Sequence, residues 1–366
     1  MRQIATREDV RRALGNRIVC GIPGTGFDAE AKEILREIQP LGLILFSHNI
    51  ESPEQVCELN AEIKAWQKEK PLLICVDQEG GRVARIRAPA TVWPSAEKLG
   101  TIGDPSLTRN IGRALGQELR AMNFDLTFAP VLDINTNPDN PVIGDRAFAS
   151  SPEQTAEQAI AFAQGLASAQ VASCGKHFPG HGDTLLDSHF DLPYVEHELE
   201  RLREVEWRPF KEACAAGFEA MMSAHLVISC LDPQHPATLS QPVMDHLRTE
   251  IGFEGVIFSD DLDMKALADN YSAKEIAHLG TQAGIDCFLA CKNASFLFDF
   301  FRELIHIVEE EKITHVDLLK SEKKLTRFRD KHIHPVQSWS TAKTIVACSE
   351  HKNLSQEAEA RYQANV

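Results

Sequence analysis

No stretch of this chain approaches the roughly 18 consecutive apolar residues that a membrane-spanning helix requires. Its first residues, Met1-Arg2-Gln3-Ile4-Ala5-Thr6-Arg7-Glu8-Asp9, hold no apolar secretion-signal core. The nine cysteines, at positions 20, 57, 75, 174, 214, 230, 287, 291 and 348, include no CxxC pair. Most lie inside apolar runs, as Cys75 does in Leu72-Leu73-Ile74-Cys75-Val76, and read as small buried hydrophobes in a reducing compartment. Positive charge is scarce: 38 Lys and Arg stand against 53 Asp and Glu, a net charge of -15. That balance argues against a nucleic-acid partner, because phosphate binding needs a basic face. These absences together predict a cytoplasmic protein with neither a membrane nor a nucleic-acid partner.

What remains is ordinary for a globular protein with a sizeable core: 366 residues, 43% hydrophobic and 25% charged. Eight apolar, strand-like runs occur at residues 18–21, 43–46, 72–76, 126–132, 172–174, 220–222, 256–258 and 287–290. Segments of helical period or composition separate them, at 28–38, 53–68, 107–122, 152–169, 198–216, 242–251 and 273–283. Regular alternation predicts parallel strands with crossover helices, and eight units predict a closed (β/α)8 TIM barrel. An open dinucleotide-binding sheet would show GxGxxG after its first strand. The chain instead has Gly21-Ile22-Pro23-Gly24-Thr25-Gly26. Beyond about residue 310 the pattern changes to charged amphipathic helix and then a polar stretch with isolated apolar groups. The expected organisation is a barrel over residues 1–310 and, over 311–366, a C-terminal helical extension packed on the barrel with a polar, mobile tail.

Five predicted strands end in polar groups: Asp77-Gln78-Glu79-Gly80-Gly81-Arg82, Asp133, Lys176-His177, Ser223-Ala224-His225 and Ser259-Asp260-Asp261. In a barrel these are C-terminal strand ends, so they converge on one mouth, where barrel active sites lie. The densest run is Lys176-His177-Phe178-Pro179-Gly180-His181-Gly182-Asp183-Thr184, with Asp187-Ser188-His189 close behind. So many ionisable groups cannot form a packed core, and they suit a loop that faces a ligand.

Asp260 follows a buried strand and suits a carboxylate nucleophile on rigid backbone; the alternative is that Asp260 or Asp261 caps the next helix. His189 can donate and then accept a proton near neutral pH, with Asp187 holding its other ring nitrogen; the alternative is a solvated turn. Asp77 and Arg85 flank a Gly-Gly turn and can grip sugar hydroxyls or simply brace the turn as an ion pair. Arg146 is either a ligand contact or an ion pair with Asp145. His177, His181, Asp183, Asp187 and His189 are also metal-ligand types. All would come from one loop, however, and the His-x-His often found after the first strand of barrel metallohydrolases is absent.

The run 176–189 resembles the signature of glycoside hydrolase family 3, most closely its single-domain bacterial β-N-acetylhexosaminidases. Gly42-Leu43-Ile44-Leu45-Phe46, Val76-Asp77-Gln78-Glu79-Gly80-Gly81-Arg82-Val83 and Gly255-Val256-Ile257-Phe258-Ser259-Asp260-Asp261-Leu262-Asp263-Met264 agree in order. The resemblance covers roughly residues 15–300. It implies Asp260 as nucleophile, His189 as acid/base assisted by Asp187, and Asp77, Arg85, Arg146, Lys176 and His177 as sugar-binding residues. It also implies retention of configuration through a covalent glycosyl-enzyme, with no metal and no organic cofactor. The implied substrate is terminal β-linked N-acetylglucosamine, typically on anhydro-muropeptides of cell-wall recycling, and the implied assembly is a monomer or weak homodimer. A β-glucosidase or a glycoside phosphorylase of the same family, and a non-catalytic sugar-binding barrel, are the alternatives. Two segments depart from the family pattern. Asp145-Arg146-Ala147-Phe148 lacks the usual serine, and Phe46-Ser47-His48-Asn49 has a histidine where arginine is common. The second departure can alter the mouth, and with it the preference for the group to which the terminal sugar is linked.

Overall fold

A computed structural model describes residues 6–67, 70–184, 192–310 and 314–366. Nine parallel segments form one sheet, in the order Ala172–Ser173, Leu126–Thr127, Leu73–Val76, Gly42–Leu45, Ile18–Cys20, Cys287–Ala290, Val256–Asp261, Ala220–Ser223 and Gly175–Phe178. The first and last of these are consecutive in the chain, separated only by Cys174. The sheet therefore closes through its fifth strand, and the architecture is the predicted (β/α)8 barrel.

The expected strand 126–132 is regular only at Leu126–Thr127. Pro130 has no N–H to donate to a ladder. The segment still follows its neighbours, through Phe128 N–H to Val76 O at 3.0 Å and Leu132 N–H to Lys176 O at 2.6 Å. The expected helix 198–216 divides into Leu199–Glu204 and Arg208–Ala215. Pro209, in the first turn of the second piece, cannot continue the ladder from the first. Elsewhere the helix starts follow local chemistry. Asp104 caps Pro105–Ala121 by accepting from the Ser106 and Leu107 N–H groups. Ser151 caps Pro152–Ser168, with proline in the first turn.

The barrel interior is a separate apolar cluster that includes Ile44, Cys75, Phe128, Cys174, Met222, Phe258, Cys287 and Leu289. Four of the nine cysteines (Cys75, Cys174, Cys287 and Cys291) lie here as apolar filler. The far end is plugged by helix His315–His332, whose Leu325 and Phe328 enter the same cluster. Phe328 meets Phe258 edge-on at 6.0 Å.

The polar C-terminal stretch differs from the expected mobile tail. Ser349–Asn365 forms a helix held to the barrel's outer helices by Lys98–Glu359 at 2.6 Å and Arg361–Asp104 at 2.9 Å. On its inner face, buried His351 meets Glu118 at 3.0 Å. Its polarity is that of a half-exposed helix tied down by charge pairs as well as by apolar burial.

Candidate active site

Side chains alternate along a strand, so a residue two places beyond an inward-facing one points inward again. Cys75, Cys174 and Phe258 belong to the interior cluster. Two residues beyond each, at the mouth, stand Asp77, Lys176 and Asp260. Alternation alone thus sets two carboxylates and an ammonium group on top of the apolar core.

Asp77 leads into a small hairpin, Gln78–Gly80 paired with Val83–Ala84. Gly80 and Gly81 turn it at φ values of 101° and 56°, which side chains rarely adopt. Gln78 is buried and braces the turn, its Oε1 accepting from the Arg85 and Ile86 N–H groups at 2.9 and 3.0 Å. The hairpin carries Asp77, Glu79 and Arg85 together to the mouth.

A charge network joins these groups to strands four and five. Arg85 donates to Asp77 at 3.0 Å, and the Lys176 ammonium lies 3.1 Å from Asp77 and 2.6 Å from Glu79. Arg146 forks onto Glu79 through Nε and Nη2, both at 2.9 Å, and its Nη2 lies 3.3 Å from His177 Nε2. The other ring nitrogen of His177 meets Asp133 at 2.6 Å. Asp133 also accepts from the His181 N–H at 2.7 Å. Burial opposes ionisation of Glu79, but Arg146 and Lys176 outweigh it and hold its carboxyl well below the usual range. Asp77 is held low in the same way by Lys176 and Arg85, while burial of Lys176 is outweighed by Glu79 and Asp77, which raise its pKa.

Asp260 is half-buried and open to the mouth. Its Oδ1 accepts from the Asp261 N–H at 2.8 Å. Burial disfavours its charge, yet His177, His225, the Asp261 N–H and Lys176 lower its pKa, so it is a carboxylate at neutral pH. Asp261 turns the other way and accepts from the Asp263 and Cys291 N–H groups, each at 3.2 Å. Neither Asp260 nor Asp261 caps the following helix, Lys265–Ala268, whose N-cap Met264 offers no side-chain acceptor. Burial, reinforced by Asp263, pushes the Asp261 carboxyl up to about 6.

This last shift predicts a pH effect. A carboxyl whose folded pKa is raised stabilises the fold fully below its unfolded pKa, near 4, and loses that contribution as pH rises through about 6. Asp261→Asn keeps an acceptor for both N–H groups but cannot ionise. Urea unfolding should find the variant about 2–3 kcal/mol more stable than wild type at pH 7.5, with the gap narrowing as pH falls and closing below about pH 4. A difference independent of pH would refute the assignment.

The structure brings six of the eight sequence-predicted residues to one mouth: Asp77, Arg85, Arg146, Lys176, His177 and Asp260. The other two, Asp187 and His189, lie outside the described residues. Arg146 pairs with Glu79, and Asp145 instead takes Arg82 at 2.6 Å, which corrects the Asp145–Arg146 alternative. Ala147, which replaces the family serine, is buried with Val142 and Ile143 in a small apolar cluster. Glu79 and Asp133 had no predicted role. Counting charge could have found them, because Lys176, Arg146 and Arg85 at one mouth require more acid than Asp77 and Asp260 supply.

His181, His177 and Asp183 each have partners of their own. His181 Nδ1 meets Thr184 Oγ1 at 2.8 Å, and Asp183 meets His197 at 2.5 Å. Burial, with His177 beside it, pulls His181 down to about 4, so it is neutral at physiological pH. Among the described residues no three His, Cys, Asp or Glu side chains are grouped to hold a metal ion, and no helix is long and apolar enough to cross a membrane.

A network of mutually matched charges of this kind suits a neutral, hydroxyl-rich ligand. Each fixed charge can accept from or donate to a hydroxyl group without leaving its partner. Comparison with known proteins agrees. The model of the glycosyl hydrolase family 3 N terminal domain matches residues 13–328. A β-hexosaminidase from Alkalilimnicola ehrlichii is 34% identical over 332 residues, 89% of this chain and 94% of that protein. A family 3 β-N-acetylglucosaminidase from Paenibacillus superposes with a TM-score of 0.91 at 35% identity, covering 96% of this chain and 68% of the other. NagZ from Neisseria gonorrhoeae, solved with N-trifluoroacetyl-D-glucosamine, superposes with a TM-score of 0.78 at 32% identity, covering 95% and 98%.

Proposed function

The chain belongs to glycosyl hydrolase family 3 and is a glycoside hydrolase of the β-hexosaminidase kind, and we propose that it is a retaining exo-β-N-acetylglucosaminidase acting on cell-wall fragments in the cytoplasm. The observation that carries this reading is the mouth itself. A carboxylate held ionised, Asp260, stands beside a closed network of Asp77, Glu79, Lys176, Arg146 and Arg85. The network is preorganised to grip the hydroxyls of one terminal sugar.

In this mechanism Asp77, Arg85, Arg146, Lys176 and His177 bind the sugar. An Asp260 oxygen attacks the anomeric carbon as the bond to the leaving oxygen breaks, and His189, oriented by Asp187, gives that oxygen its proton. Water then attacks the glycosyl–Asp260 ester. His189 takes the water's proton, Asp260 leaves as carboxylate, and the sugar departs with its β-configuration. The Asp261 N–H on Asp260 Oδ1 fixes the carboxylate plane and stabilises its charge when it is regenerated. Asp133 acts one step back: it positions His177 through Nδ1 and the run to His181 through the backbone.

The test is hydrolysis of nitrophenyl N-acetyl-β-glucosaminide beside the matched β-glucoside in phosphate-free buffer, with the product anomer followed by NMR. Turnover of the N-acetyl sugar with β-product first is the expected result. Preference for the glucoside overturns the substrate, α-product overturns retention, and a requirement for added phosphate makes the enzyme a phosphorylase. No turnover under any of these conditions leaves only the sugar-binding reading.

A further inference from the structure

Glu118 is a buried carboxylate that takes no part in the reaction above. It lies on helix Pro105–Ala121, 3% exposed, and four donors meet it. Two come from Thr91, whose N–H and hydroxyl reach it at 3.2 and 2.5 Å. Two come from the C-terminal stretch: the Ala347 N–H at 2.8 Å and His351 Nδ1 at 3.0 Å. One carboxylate thus ties residue 91 to the start of helix Ser349–Asn365. Farther along, the helix keeps the same neighbour. The His351 ring faces Trp93 at 5.9 Å, Ser355 Oγ donates to Val92 O at 2.7 Å, and Glu359 pairs with Lys98 at 2.6 Å.

The opposite side of residues 91–102 backs the sugar-binding loops. The Gly81 N–H donates to Trp93 O at 3.0 Å. A Cβ on Gly80 would collide with Pro94 O, and one on Gly81 would lie 2.7 Å from Ser95 Cβ. The hairpin that carries Asp77, Glu79 and Arg85 therefore rests on residues 93–95 with no space between. Helix Ala96–Ile102 follows directly, and a Cβ on its Gly100 would collide with Phe148 O. Phe148 lies two residues beyond Arg146, in the same loop. Glu79 and Arg146, joined by their fork, thus come from two loops that share one support. That support is held from outside by the C-terminal helix.

Resting on the reading of this mouth as a sugar site, we propose that Glu118 and His351 are positioning residues. Through them helix Ser349–Asn365 holds residues 91–102, and so the hairpin of Asp77, Glu79 and Arg85 and the loop of Arg146, in the sugar-binding arrangement. A two-stranded hairpin has little stability of its own, so its place is set by what it rests on. A shift of about an ångström at residues 93–95 would open the fork and turn Asp77 away from a sugar hydroxyl. Coupling of this kind is reciprocal: a sugar that draws the two loops together stabilises docking of the helix by the same factor.

Hydrogen exchange of the full-length protein, with and without saturating N-acetylglucosamine, reads the coupling directly. Peptides over 77–86 report the sugar site and peptides over 349–365 report the helix. The sugar should slow exchange in both, by about tenfold in the helix. His351→Ala should raise KM for nitrophenyl N-acetyl-β-glucosaminide about tenfold, with kcat changed by less than about threefold. Glu118→Ala should raise KM at least as much, and Ser355→Ala, which removes one exposed bond, should raise it less. Leu325→Ala, at the plugged end of the barrel, costs stability without touching this path and should leave KM unchanged. Protection at 77–86 with none in the helix would overturn the proposal. So would an unchanged KM in folded His351→Ala, or an equal rise in Leu325→Ala. No protection in either place, with no turnover by wild type, would overturn the sugar-site reading and the proposal with it.

Discussion

Asp260→Ala is expected to lower kcat by about 10⁴-fold or more, the scale on which loss of a covalent nucleophile acts. The argument rests on placement. Asp260 is the inward residue above Phe258, half-buried, held as a carboxylate and oriented by the Asp261 N–H. Its two rivals are occupied. Asp261 is turned to the backbone of Asp263 and Cys291, and Asp263 holds three successive N–H groups at the start of the next loop. Azide added to Asp260→Ala should enter the vacated space and attack the anomeric carbon directly, giving the α-glycosyl azide by a single inversion. Steady-state kinetics with a nitrophenyl substrate and NMR of the azide product make the measurement. A variant that keeps most of its activity would move the nucleophile elsewhere, and a β-azide would contradict attack on the face that Asp260 had occupied.

Glu79→Ala should cost about 3–5 kcal/mol of unfolding free energy, the penalty for removing one partner of a buried ion pair. Glu79 faces two cations at once, Arg146 through a fork and Lys176 at 2.6 Å, and all three side chains are buried. Deleting it leaves buried Arg146 without its carboxylate and Lys176 with Asp77 alone. Glu79→Gln keeps the shape and one acceptor, and should lose less. The pH dependence has a definite sign. Glu79 ionises more readily in the folded chain, so its stabilisation is present above the unfolded pKa, near 4, and disappears as pH falls through the lower folded value. Urea unfolding should show the gap between wild type and Glu79→Gln widest at pH 7 and closing below about pH 4. A gap under about 1 kcal/mol at pH 7 would mean that the network contributes little to stability. The same variants should raise KM, because Lys176 and Arg146 lose the anchor that fixes their donors.

Much of this molecule is local in origin, and that part was legible in the sequence. A parallel strand is buried on both faces, so it appears as a short apolar run, and eight such runs separated by helical segments determine a barrel. The polar residues that end these runs, Asp77, Lys176 and Asp260 among them, lie one alternation beyond inward-facing Cys75, Cys174 and Phe258. Their convergence on one mouth needs no information beyond the strand itself. What only the tertiary structure decided is who pairs with whom. Glu79 and Arg146 are 67 residues apart, and Asp77 and Lys176 are 99 apart. No periodicity reaches that far, which is why Asp145 stood as a partner for Arg146 until the structure supplied Glu79. The docking of Ser349–Asn365 was hidden for the same reason: a helix held by Lys98, Asp104 and Glu118 on distant elements reads, by itself, only as polar. Strand order and inward direction follow from covalent geometry and burial, residue by residue. Charge pairing depends on distances through space, which exist only once the barrel has closed.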